Sequence, residues 1–197
     1  MHYDFVEIGT ANFWTLTQEC SDNTRGIAIE PIQHYLNQLP NKPLVTKLNC
    51  AISPNNQHGD IEVYYIPEEV IDNNNLPWWL KGCNSVGDYH KFHLEYNIQN
   101  LVKIEKVSMV PISFIFAECQ ITSLDFLKID TEGNDGKILT HLYTFLQLKD
   151  RALYPKKIRY ETSHSNRQEQ ESVLQLYSKL GYIFDYTDID DTQIILP

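Results

Sequence analysis

Along the chain, short β-like runs alternate with stretches of helical period. "YDFVEIG" reads as a first strand ending at Gly9. A helix is predicted over 13–20, with Asn12 as its N-cap. "GIAIEP" (26–31) reads as a second strand, apolar until Glu30. Pro31 suits the opening turn of the next helix, where its missing N–H is no loss. "VTKLNCAIS" reads as a third strand and "GDIEVYYI" (59–66) as an extra strand after a turn. Regular structure returns with "KIEKVSMVPISF" and continues with the strand "LDFLKID". Ile138, Leu139, Leu142 and Leu146 share one face of a helix predicted over 135–148. After the strand "KIRYETS", "SNRQ" (165–168) has the form of a capping box. The helix it opens places Val173, Leu174, Tyr177 and Leu180 on one face and stops at Gly181. "YIFDYTDIDDTQIILP" closes the chain as two strands around an acidic turn, most simply a hairpin. This alternation predicts an α/β fold with a largely parallel sheet.

The pattern breaks over 67–102, which holds "PWWLKGCNSVGDYHKFH". Structureless loops of that length are uncommon unless they serve a function. A lid with a short helix or two is expected there, within a single domain spanning 1–197.

Composition narrows the function classes. Apolar residues make up 42% and charged residues 21%, ordinary for a water-exposed globular domain. The longest apolar runs fall short of a membrane span. The start, "MHYDFVEIG", has neither a basic nor an apolar leader region, so a cytoplasmic location is expected. A net charge of -10 argues against a protein that binds nucleic-acid backbones. Cys20, Cys50, Cys83 and Cys119 form no CxxC pair and match no zinc spacing, so they read as reduced thiols.

The strand ends carry the chemistry. Glu7, Glu30, Asp130 with Glu132, and Glu161 all fall at or just past the C-terminal ends of predicted strands. Ligands of open α/β sheets bind outside those ends. The first turn, "EIGTANF", has one glycine where a pyrophosphate-binding fingerprint wants three, and there is no P-loop. An acidic residue ending strand two is where such folds hold a ribose diol. Adenosine without a pyrophosphate, beside an acidic turn able to hold an ammonium, describes S-adenosylmethionine.

"VEIGT", "IAIEP", "NCAIS" and above all "SLDFLKIDTEGNDGKIL" resemble the FkbM-type family of S-adenosylmethionine-dependent methyltransferases. The resemblance runs in order from Asp4 to about Tyr182. It implies the Rossmann-like class I methyltransferase fold: a three-layer α/β/α sandwich around a mostly parallel seven-stranded sheet with a C-terminal antiparallel hairpin. It also implies methyl transfer, usually to a hydroxyl oxygen of a sugar, glycan or other small molecule. Carried over by position, Glu7, Gly9 and Thr10 match the first cofactor turn, Glu30 and Pro31 the ribose-binding pair, and Ala51 and Ile52 the adenine segment. Asp130, Glu132 and Gly133 match the family signature. Phe13 stands where many members have a second glycine.

An acceptor hydroxyl must lose a proton, and His is the commonest general base. His90 and His93 in the lid and His164 past Glu161 are the candidates, with Asp130 beside the reacting groups. Asp130 and Glu161 form the candidate pair for a divalent cation; the competing reading has Asp130 touching acceptor or cofactor directly. Trp78, Asn84, Ser85 and Glu132 are the candidate acceptor contacts. The rival readings are methyl transfer to nitrogen or nucleic acid, and a non-catalytic module that keeps the fold.

Overall fold

A computed structural model describes residues 1–11, 13–163, 165–187 and 190–197. In chain order come β1 (His2–Ile8), α1 (Leu16–Glu19), β2 (Gly26–Ile29), α2 (Gln33–Gln38), β3 (Val45–Leu48), β4 (Ala51–Ile52) and β5 (Gly59–Tyr65). Next are α3 (Glu68–Asn73), β6 (Ser85–Val86), α4 (Lys91–Glu95), β7 (Lys103–Val110), α5 (Ile112–Glu118) and β8 (Ser123–Ile129). The chain ends with α6 (Asp135–Leu146), β9 (Lys157–Glu161), α7 (Arg167–Lys179), β10 (Ile183–Thr187) and β11 (Asp191–Ile195).

A seven-stranded mixed sheet runs β10-β11-β9-β8-β1-β2-β3. Five neighbours, β9-β8-β1-β2-β3, pair in parallel, while β11 runs antiparallel to both β9 and β10. The apolar runs of β1, β2 and β8 are buried because they lie mid-sheet. Ile112, Ile115 and Phe116 of α5, Ile138, Leu139, Leu142 and Leu146 of α6, and Val173 and Tyr177 of α7 close over Val6, Ile8, Leu127 and Ile129.

A second sheet, β4-β7-β5-β6, stands apart from the first. Its Ala51, Val63, Tyr65, Val107 and Met109 pack onto Ile32 and Tyr35 at the start of α2. Residues 67–102 then fold over a core of their own, with Leu80, Ile71, Cys83 and Ile98 buried against Ile66. The lid is therefore a packed unit, hydrogen-bonded to the second sheet through Tyr64 and Ser85. Among the described residues, no helix is long and apolar enough to cross a membrane.

Several local expectations need correction. "VTKLNCAIS" is not one strand: the Asn49 side chain donates to the carbonyls of Glu30 and Pro31 at 3.0 and 2.8 Å. The chain turns there, and Ala51 pairs with Met109 in the second sheet. Pro31 precedes α2 rather than opening it; Ile32 is the N-cap. The first helix is shorter than 13–20 and is capped by Thr15, whose side chain accepts from the Gln18 N–H while Gln18 reaches back to the Thr15 N–H. The expected cap, Asn12, lies outside the described residues. The cap of α7 is Asn166, accepting from the Glu169 N–H, while Ser165 donates to the Thr162 carbonyl. As expected, regular structure returns with "KIEKVSMVPISF", as a strand before Pro111 and a helix after it.

If the lid core is a cooperative part of the fold, Leu80→Ala costs about 2–5 kcal/mol of stability, the range for a fully buried leucine. Urea denaturation of the full chain measures it. A loss below about 0.5 kcal/mol, the scale of surface substitutions, would show that the lid is not part of the folding unit.

Candidate active site

A cleft holding about 780 Å³ of empty space, its open mouth included, lies at the C-terminal ends of β1, β2 and β8. Its floor is the turn after β1. The Gly9 N–H donates to the Ile29 carbonyl and the Asp130 N–H to the Ile8 carbonyl, both at 2.9 Å. Gly9 has φ +78°, and a Cβ there would stand 1.7 Å from the Asp130 carbonyl oxygen. Only glycine meets both conditions.

Glu30 holds this turn in shape. Its Oε2 accepts from the Thr10 N–H at 2.9 Å, the Thr10 hydroxyl at 3.2 Å and the Ala11 N–H at 2.8 Å. Its Oε1 accepts from the Ile32 N–H at 2.9 Å. Burial raises its pKa, and these four donors offset only part of the rise. Oε1 accepts one hydrogen bond among the described residues and keeps further acceptor capacity, and Glu30 lines the cleft.

Glu7 is fully buried and is absent from the cleft wall. Its Oε1 accepts from Lys128 Nζ and its Oε2 from the Leu16 N–H at the start of α1, both at 3.0 Å. Lys128 does reach the cleft and is the sole cation among its described lining residues. Ala51, Ile52, Val63 and Val86 of the second sheet form an apolar wall facing the Gly9–Glu30 side.

At the far side sits a group of carboxyls. Burial, then Asp130 and Asp135, push Glu132 up to about 9. Burial and then Glu132 raise Glu161 to about 8, and burial above all raises Asp135 to about 7. Asp130 also moves up, through burial against the pull of Lys128. Glu132 takes a left-handed backbone, φ 54°, which is costly for a residue with a Cβ. Its Oε2 lies 3.5 Å from His90 Nε2. His90 Nδ1 accepts the Phe92 N–H, which leaves the ring proton on Nε2. Burial lowers His90 to about 4, so the imidazole is neutral at pH 7.

The mouth is aromatic. Phe13 lines it, meets Trp78 edge-on at 6.2 Å, and packs so tightly on Gly82 that a Cβ there would stand 2.3 Å from the ring. Asn84 lines the roof; its amide donates to the Lys81 carbonyl at 3.1 Å. Its Oδ1 is buried with no hydrogen-bond partner among the described residues.

Residues 5–184 match the family described as Methyltransferase FkbM domain. The chain belongs to this family. No curated protein and no solved structure matches the chain.

Of the candidate site residues read from the sequence, the cleft gathers Gly9, Thr10, Glu30, Pro31, Ala51, Ile52, Asp130 and Glu132, and from the lid Asn84 and Ser85. Glu7 lies beneath it. Trp78 stands 68% exposed at the mouth, and His93 is buried within the lid, its Nδ1 accepting the His90 N–H at 3.2 Å. His90 sits behind Glu132 and off the cleft wall. His164 lies outside the described residues. Glu161 accepts from the Ser163 hydroxyl, and neither it nor Asp130 joins a three-ligand grouping among the described residues. Sequence reading passed over Lys128, although alternation places it on the same face of β8 as Asp130. It also passed over Val63 and Val86, which reach the cleft through the second sheet and carry no local signal.

The raised carboxyls predict a pH dependence. Glu132, Glu161 and Asp135 keep their protons to higher pH folded than unfolded. Their contribution is full below the ordinary carboxylate range and is lost as pH rises through about 7 to 9. His90 and His93, lowered to about 4, act in the acid window instead, losing their contribution as pH falls from about 6.5 through 4. Thermal midpoints should therefore fall from pH 7 to 9, with a shallower fall in Glu132→Gln. A flat or rising profile over that window would contradict the burial of these groups.

Proposed function

We propose that the cleft binds S-adenosylmethionine and that the protein transfers its methyl group to a hydroxyl oxygen of a sugar or other small molecule. One observation carries the reading. A polar turn fixed by Glu30 faces an apolar wall across one cleft, with Lys128 and Asp130 on its floor. Those surfaces suit, in turn, a ribose, an adenine and a zwitterionic amino acid. The Gly9 turn fits as well, since its single glycine is used for close packing against the Asp130 backbone and it offers no glycine-rich nest for a pyrophosphate. The seven-stranded sheet, with its single reversed strand β11, suits the class I methyltransferase arrangement.

When bound, the cofactor supplies a methyl carbon activated by sulfonium. The chain's own task is then to position the acceptor and exclude water. In this reading Glu30 Oε1 accepts from a ribose hydroxyl, and Lys128 faces the amino-acid carboxylate. Ala51, Ile52, Val63 and Val86 enclose the base. The Asn84 Oδ1 takes a donor from the ligand, since a buried acceptor left empty is costly. Glu132, protonated at neutral pH, donates a hydrogen bond to the acceptor, and Asp130 receives the hydroxyl proton. His90 serves by orienting Glu132, because its Nδ1 is committed to the lid.

Calorimetric titration with S-adenosylmethionine and S-adenosylhomocysteine tests this. Micromolar binding is expected, weakened at least tenfold, about 1.4 kcal/mol, by Glu30→Ala. Val86→Trp, which fills the apolar wall without touching the turn, should abolish it, and Trp78→Ala should leave it intact. Failure of the folded protein to bind either compound, or binding indifferent to both cleft variants, would sink the reading.

A further inference from the structure

The opposite end of the sheet carries a different constellation. His2 and Asp4 alternate on β1, and Ser123 and Asp125 alternate on the neighbouring β8, with His2 in register with Ser123. The buried Tyr3 and Leu124 point the other way, so the four polar residues share one face. His2 Nε2 lies 3.5 Å from Asp4 Oδ1 and 3.5 Å from Asp125 Oδ2. One ligand atom from each of the three residues falls within 4.8 Å of the others. From here to the cleft is about six residues of strand, roughly 20 Å.

The two His2 contacts have the spacing of ligands that share a metal ion. A hydrogen bond from imidazole to carboxylate prefers about 2.9 Å. Two ligands on one metal with bonds of about 2.0–2.2 Å, set at the tetrahedral angle, stand about 3.4 Å apart. Both His2 contacts match the second distance. The remaining atoms are already engaged in the manner of outer-shell partners. His2 Nδ1 pairs with the Ser123 hydroxyl at 2.9 Å, which turns Nε2 toward the carboxylates. Asp4 Oδ2 accepts the Arg25 N–H at 2.7 Å, and Asp125 Oδ1 meets Lys156 Nζ at 2.7 Å. Each carboxylate thus has one oxygen anchored by the protein and the other turned to His2.

We propose that His2, Asp4 and Asp125 bind one divalent transition-metal ion of the zinc class through one nitrogen and two oxygens. Side-chain exposures of 49%, 43% and 39% leave water access to a fourth position. The ligand set, with no sulfur and one imidazole, favours zinc or cobalt over magnesium, which prefers oxygen alone. Binding would clamp β1 to β8 at this pole. The inference is independent of the cleft and of methyl transfer.

The test uses the full chain after chelator treatment. Zinc titration by calorimetry should give one equivalent bound, and cobalt should give the visible absorption of a four-coordinate ion without a thiolate charge-transfer band. His2→Gln and Asp125→Asn should each weaken uptake at least tenfold. Zinc should raise the thermal midpoint of the parent protein and not of His2→Gln. His2 is exposed and Asp125 half-buried, and the folding of both variants is checked directly by the same melts. No uptake would overturn the proposal and leave His2 lying between the two carboxylates with no metal role. Uptake unchanged in both variants, or a thiolate band, would overturn it by placing the metal elsewhere.

Discussion

The candidate site depends on one buried carboxylate. Glu30 ends β2 and accepts four hydrogen bonds, three from the turn after β1 and one from the start of α2. Leaving such donors buried and unpaired costs about 1–3 kcal/mol each, so the turn has no comparable alternative shape. The same strand end directs the next part of the chain. Asn49 donates to the carbonyls of Glu30 and Pro31, and there the chain leaves the first sheet to start the second. Floor, helix start and apolar wall all follow from that corner.

The lid extends this constraint. Phe13 follows the Glu30-held turn and stacks on Gly82 and Trp78. Phe13 thus has a structural use: it bridges the turn after β1 to the roof. Lys81 lies 5.2 Å from the Phe13 ring and 5.8 Å from that of Trp78, within cation–π reach of both. These contacts join a short turn to a unit with its own core at the rim of the cleft.

Much of the fold was legible because burial and period coincide. β1, β2 and β8 are apolar runs at the centre of a parallel sheet, and α6 and α7 carry clear helical faces. Of the acidic strand ends, Glu30, Asp130 and Glu132 line the cleft, while Glu7 lies beneath it. The break at Asn49 was not legible, because a side chain bonding to carbonyls far back in sequence leaves no local period. The role of Glu7 was equally hidden: its lysine partner lies 121 residues away. Pro31 and Ser165 show a smaller gap, since caps are settled by backbone geometry to within a residue, which composition does not resolve. The order within 67–102 comes from Leu80, Trp79 and Phe92 meeting across the lid, a pattern that spans irregular segments and so has no signature.

The central claim is that one cleft, shaped by Glu30, holds S-adenosylmethionine. An amide-resolved NMR titration of the protein with S-adenosylhomocysteine tests it most directly. The account predicts saturable shifts concentrated at Thr10, Ala11, Ile32, Ala51, Ile52 and Ser85, with the β1–β8 pole around His2 unmoved. Shifts scattered away from those amides, or none at saturating ligand, would contradict it.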